Sequence, residues 1–103
     1  MIVIDEEKNS WFLFEEEGKL LFDVNCSHSF VGYDFMMFLN EDEIALYKEK
    51  GREYLNALAN SIDYSCPISR SSTSKYKDRY VYDQYSEKSL DAINSWRKKN
   101  GAI

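Results

Sequence analysis

Nucleophilic catalysis needs a nucleophile beside a base. The chain has one histidine, His28, two positions after Cys26. On a strand that spacing puts both side chains on the same side, so Cys26 and His28 would form the thiol–imidazole pair of a small hydrolase or transferase. Neither an oxyanion hole nor an acid to orient the ring is identifiable, and the plainer reading is a turn histidine near a small buried cysteine. The other cysteine, Cys66, is too far along the chain for a metal or redox motif, and both read as reduced. No glycine-rich phosphate loop and no Asp-x-Asp-x-Asp calcium loop occurs. Neither cofactor nor metal is expected. With 18 acids in the chain, carboxylate pairs suited to glycoside hydrolysis cannot be told from chance neighbours.

Charge is organised more clearly. The net charge is −5, but residues 1–43 hold eleven acids against two lysines, a net of −9, and the remainder is net +4. Such an acidic half repels nucleic-acid phosphates and favours a basic partner. The candidate partner-binding carboxylates are Glu6, Glu7, Glu15, Glu16, Glu17, Asp23 and Asp34. Tyr33 would be an aromatic anchor, with Trp11 and Phe12 nearby. The plain alternative is a solvated face that keeps the chain soluble. The string SFVGYDFMMF has the aromatic content of an RNA-binding strand. It lacks the basic residue such strands carry and places Asp34 where phosphate would approach, so it reads as a packed strand.

These residues must be positioned by a small scaffold. At 103 residues with 44% apolar content and one proline, the chain is expected to be one domain, 1–103. Residues 40–62 have the clearest helical period: Ile44, Tyr47, Gly51, Leu55, Leu58 and Ile62 fall three or four apart. Asn40 and Glu43 form a capping box. Gly51 on the apolar face suggests close approach to a sheet. Strands are expected at 10–15, 19–26 and 30–39, with a short edge strand possible at 2–4 and a turn at 16–19. In the second, Leu20, Phe22, Val24 and Cys26 oppose Leu21, Asp23 and Asn25. The third would send Val31, Tyr33, Phe35, Met37 and Leu39 to one side and Phe30, Gly32, Asp34, Met36 and Phe38 to the other. Apolar residues on both sides suit a central strand, or one whose second face meets a partner.

Residues 63–75 are serine-rich and read as a long loop. Ser69, Arg70, Ser71, Ser72 and Thr73 would make it a docking or phosphorylation segment if the chain were an adaptor module. A fourth strand is expected at 76–83, with Tyr76, Tyr80 and Tyr82 on one face. A final helix, 87–100, would be capped by Ser86 and Gly101 and bury Leu90, Ile93 and Trp96 or the stem of Arg97. The expected fold is α+β, an antiparallel sheet of about four strands in the order β-β-β-α-β-α, with both helices packed on one face. No run approaches the length of a membrane span, and the N-terminal residues lack the pattern of a signal peptide. A reducing, cytoplasmic setting is the expectation.

The segment FLNEDEIALYKEKGREYLNALANSI, with the aromatic hairpin before it, resembles immunity proteins of bacterial polymorphic toxins, in particular those of contact-dependent growth inhibition systems. The matching positions are Glu41, Asp42, Ile44, Tyr47, Gly51, Tyr54, Leu55 and Leu58, and the resemblance covers residues 10–62. It implies a small, acidic, cytosolic, non-enzymatic protein. Such a protein would bind a cognate toxin domain, often a nuclease (RNase), as a 1:1 heterodimer and occlude its basic cleft.

Overall fold

The structure, a computed structural model, describes residues 1–28, 31–65 and 74–99. Its strands come first in the chain: β1 (Ile2–Glu7), β2 (Trp11–Glu16), β3 (Lys19–His28) and β4 (Val31–Phe38). They form one antiparallel sheet in the order β1-β2-β3-β4. Glu17 (φ 51°) and Gly18 (φ 80°) link β2 to β3, with Glu16 opposite Lys19. Positive φ at both central residues is the type I′ turn, whose twist matches that of the flanking strands. The register of β1 shifts between Val3 and Asp5, a bulge near the sheet's edge.

Alternation along these strands buries both faces of the sheet. Trp11, Leu13, Phe22, Val24, Cys26, Phe35 and Met37 point one way, into a core shared with Leu55, Leu58, Ala59 and Ile62. Phe14, Leu21 and Met36, with half-buried Phe12 and Phe38, point the other way. An apolar face must be covered, so this sheet needs helices on each side. Helices α1 (Glu41–Lys50) and α2 (Arg52–Ser65) lie against the first face. Helix α3 (Tyr82–Lys99) covers the second through Ala92, Tyr82, Tyr85, Ile93 and Trp96.

The α+β class and the four-stranded antiparallel sheet agree with the sequence reading. Several features differ. The helices lie on opposite faces rather than one, because both sides of β2, β3 and β4 are apolar. The fourth strand is β1 at the start of the chain, and residues 76–83 do not form one. They make a 3-10 turn (Lys77–Arg79) and the first turn of α3. Tyr76 and Tyr80 pack into the first core and Tyr82 into the second, so the segment passes over the sheet edge. It is fastened there along β4, which is an edge strand and not a central one. The Val81 N–H donates to the Met36 carbonyl at 2.9 Å. The Arg79 guanidinium donates to the Phe38 carbonyl at 2.6 Å and to both Glu43 oxygens at 2.6 and 2.9 Å. The stripe that α3 buries also differs: Ser89 and Ala92 are its buried residues, and Leu90 is 61% exposed.

The expected helix at 40–62 is two helices broken at Gly51. Its start is the capping box read from sequence: Asn40 Oδ1 accepts from the Glu43 N–H at 2.9 Å and Glu43 Oε1 from the Asn40 N–H at 2.8 Å. At Gly51 the backbone has φ 67° and ψ −141°, and a Cβ there would meet nothing within 4 Å. The glycine therefore serves a backbone conformation that side chains avoid, not a close approach to the sheet. Phe30 and Gly101 lie outside the described residues.

Two stability predictions follow from these joints. Gly51→Ala should lose about 1–3 kcal/mol in urea unfolding through backbone strain alone. Arg79→Ala should lose about 1–3 kcal/mol, since it strands the buried Glu43 carboxylate and the Phe38 carbonyl together. Unchanged unfolding midpoints would show that neither joint holds the helices in place.

Candidate functional site: a carboxylate pocket beside the end of α3

The second face of the sheet is not apolar throughout. Asp23 on β3 stands between Phe12 of β2 and Met36 of β4. Asp34 on β4 pairs with Asn25, which places it diagonal to Asp23 on the same face. The strand period that buries Phe22 and Phe35 toward α2 fixes both aspartates on the α3 side. Here Ile93 and Arg97 are the α3 residues facing the sheet, and a cavity of about 330 Å³ opens, lined also by Glu6, Lys8 and Phe12.

Asp23 is only 7% exposed, and its Oδ1 has no hydrogen-bond partner among the described residues. Burial, followed by the charge of Asp34, pushes its pKa up to about 8. Asp34 is solvent-exposed, but partial desolvation of its carboxyl raises its pKa as well. Lys8 and Arg97 line the same cavity, yet no ion pair joins either of them to these carboxyls. A buried carboxyl in this state has two chemical uses. It can hold a proton at neutral pH, or it can release that proton to pair with an incoming cation.

The other carboxylates singled out from sequence do not share this site. Glu16 is buried at the opposite end of the sheet, where Lys88 bonds it at 2.8 Å and the Met1 amine lies at 3.4 Å. The Lys88 hydrogen bond, with help from the amine, holds its pKa below the usual carboxylate range despite burial. Glu15 and Glu17 flank it in the open, beside the β2–β3 turn. Glu7, with Asp5, is bound by Arg52 at the start of α2. Tyr33 packs beside the first core, on the face away from Asp34. Trp11, expected nearby as a surface aromatic, is a core residue: its indole N–H donates to Asn56 Oδ1 at 2.8 Å. Of the expected set, the fold brings together Glu6, Asp23 and Asp34, with Phe12.

Cys26 is 2% exposed within the first core, so no substrate reaches its sulfur while the fold is closed. The backbone of His28 ends β3, and its pairing with Cys26 as a catalytic unit gains nothing from that burial. Cys66 and the segment Ser69, Arg70, Ser71, Ser72 and Thr73 lie outside the described residues. Among the described residues no three His, Cys, Asp or Glu side chains gather as metal ligands, and no helix is long and apolar enough to cross a membrane.

Sequence reading missed the cations of the site. The stem of Arg97 is one candidate for the buried stripe of the final helix, but nothing local shows that its position four residues after Ile93 brings its charge to the cavity beside Asp23. It also missed the clamps Arg52 and Arg79, whose partners are far away in sequence. The chain matches no known protein family, no characterised protein and no solved structure.

The titration of Asp23 should be visible in stability. The folded chain keeps this proton to about pH 8, whereas an unfolded aspartate loses it near 4, so the folded state binds more protons between those values. Stability should therefore fall as pH rises through that window, by at most about 1.4 kcal/mol per pH unit. Asp23→Asn should match the parent near pH 4 and melt at a higher temperature at pH 8. Equal melting temperatures at pH 8 would mean that Asp23 ionises there without cost.

Proposed function

We propose that this chain is an immunity protein: a non-enzymatic cytoplasmic inhibitor that binds a cognate bacterial toxin domain of nuclease type, one to one, and covers its basic cleft. The observation that carries this reading is the uneven neutralisation of the acidic half. Glu16, Glu43, Asp5 and Glu7 are each tied to an arginine, a lysine or the terminal amine. Glu6, Asp23 and Asp34 converge on one cavity and have no ion pair among the described residues. Fold stability does not call for a buried carboxyl without a partner, since an apolar residue there would cost less. A basic protein surface would supply the missing charge. The resemblance over residues 10–62 to immunity proteins of contact-dependent growth inhibition systems points the same way.

The surface would act by electrostatic complementarity, which speeds association and rejects nucleic acid, while the partner's lysines and arginines that normally hold phosphate are occupied. Glu15 and Glu17, exposed at the other end of the sheet, would add long-range attraction that salt screens readily.

Calorimetric titration with the C-terminal toxin domain encoded by the gene immediately upstream should give tight 1:1 binding that weakens as salt rises. The double variant Glu6→Lys, Asp34→Lys should bind at least tenfold more weakly, because a close interfacial charge pair couples by about 1.5–7 kcal/mol. Tight binding that ignores salt and this double variant would move the interface to another face. An absence of binding at both salt concentrations would end the immunity reading.

A further inference from the structure

We propose that the cavity between β3, β4 and the end of α3 is a socket for a single guanidinium, an arginine side chain of the partner, held by Asp23 and Asp34 together. This inference rests on the immunity reading for the identity of the partner, but not for the chemistry of the socket. The decisive feature is Asp23 itself, 7% exposed with an unpartnered Oδ1 in a cavity that opens to solvent. A buried acceptor of this kind costs free energy until a donor reaches it.

Three features select an arginine. Diagonal neighbours on adjacent antiparallel strands stand roughly 7–8 Å apart, a separation that a planar fork of five donors bridges and a compact ammonium does not. The ring of Phe12 lines the cavity, held against Phe14 at 5.8 Å and edge-on to Trp96 at 6.3 Å, and offers a fixed surface for the guanidinium to lie on. The volume, about 330 Å³, suits one long side chain rather than a loop or a helix.

The groups that face Asp23 are Glu6 from β1, Lys8 from the following turn, Asn25 beside it on β3, Asp34 from β4 and Arg97 from α3. Among them the acids are not neutralised by an ion pair, so Asp23 holds a proton in the free protein at neutral pH. Docking a guanidinium expels that proton: the carboxyl O–H breaks, the proton passes to solvent buffer, and the carboxylate accepts N–H donors instead. Affinity for arginine should therefore rise by up to about tenfold per pH unit below pH 8.

The test uses the whole chain with acetyl-arginine-methylamide as probe, and with the lysine and citrulline analogues as controls. Two-dimensional NMR follows the amides of Phe12, Asp23, Asn25 and Asp34 and the Asp23 carboxyl carbon. The expected result is saturable shifts confined to those residues, weaker with the lysine analogue, absent with citrulline, and tighter at pH 8 than at pH 6. Asp23→Asn, which should fold at least as well as the parent, should lose the response. Equal responses to arginine and citrulline, or none to either, would overturn the socket. So would an Asp23 carboxyl that titrates normally but abnormally in Arg97→Gln, because the chain's own Arg97 would then be the occupant. Saturable arginine binding without toxin binding would uphold the socket and remove the immunity reading. Toxin binding that is equal for the parent and Asp23→Asn, with no probe response, would do the reverse.

Discussion

The fold depends on the fork that Arg79 makes with Glu43 and the Phe38 carbonyl. A sheet that is apolar on both faces has to be covered twice, and a single chain covers it twice only by carrying a segment across one edge. That crossing runs beside β4, where it would leave buried main-chain groups unpaired. Val81 and Arg79 answer two of those β4 carbonyls, those of Met36 and Phe38. The Glu43 carboxylate that receives the guanidinium is also the capping residue of α1. Burial opposes its charge, but the bonds from Arg79 and the Asn40 N–H prevail and hold its pKa below the usual range. Helix start, sheet edge and crossing segment therefore meet on one carboxylate.

Asp23 shows the same chemistry with the partner removed. Glu16, Glu43 and Asp23 are all buried acids. The first two are met by cations from α3, the N-terminal amine or the 3-10 turn, and their pKa values fall. Asp23 has no cation to oppose its burial, so burial, followed by the charge of Asp34, raises its pKa. Burial acts on all three acids, and the presence or absence of a cation decides the direction. The difference is that the fold supplied a cation in two places and a cavity in the third.

Much of this was legible in the letters, for a specific reason. Strand period and the turn at 16–19 are local, so the opposing sides of β3 and the placement of Asp23 and Asp34 on neighbouring strands could be read directly. The Asn40–Glu43 capping box is equally local. What could not be read was anything decided across the sheet. Tyr76, Tyr80 and Tyr82 look like one face of a strand because β-propensity does not know that the segment must change sides. Glu16 looked like one of three similar surface acids, and only the approach of Lys88 from α3 makes it a buried one. Gly51 reads as an interior residue of one helix although it is the joint between two, since the sequence shows a missing side chain and not the sign of φ.

The outer strand raises a different matter, that of self-association. β1 is an edge whose outward groups pair with no other strand among the described residues, and Ile2 and Ile4 are 60% and 47% exposed on it. An unprotected edge of this sort is a template on which a second copy adds a strand. The shift in register after Val3 interrupts the repeat a foreign strand would have to match. Beyond it, Asp5, Glu6 and Glu7 present more negative charge than the single Arg52 cancels. A second copy adding in parallel would oppose like charges over half the strand, and one adding antiparallel would set these acids against Ile2, Val3 and Ile4. The same acids that attract a basic partner thus help keep the chain from polymerising through its own sheet.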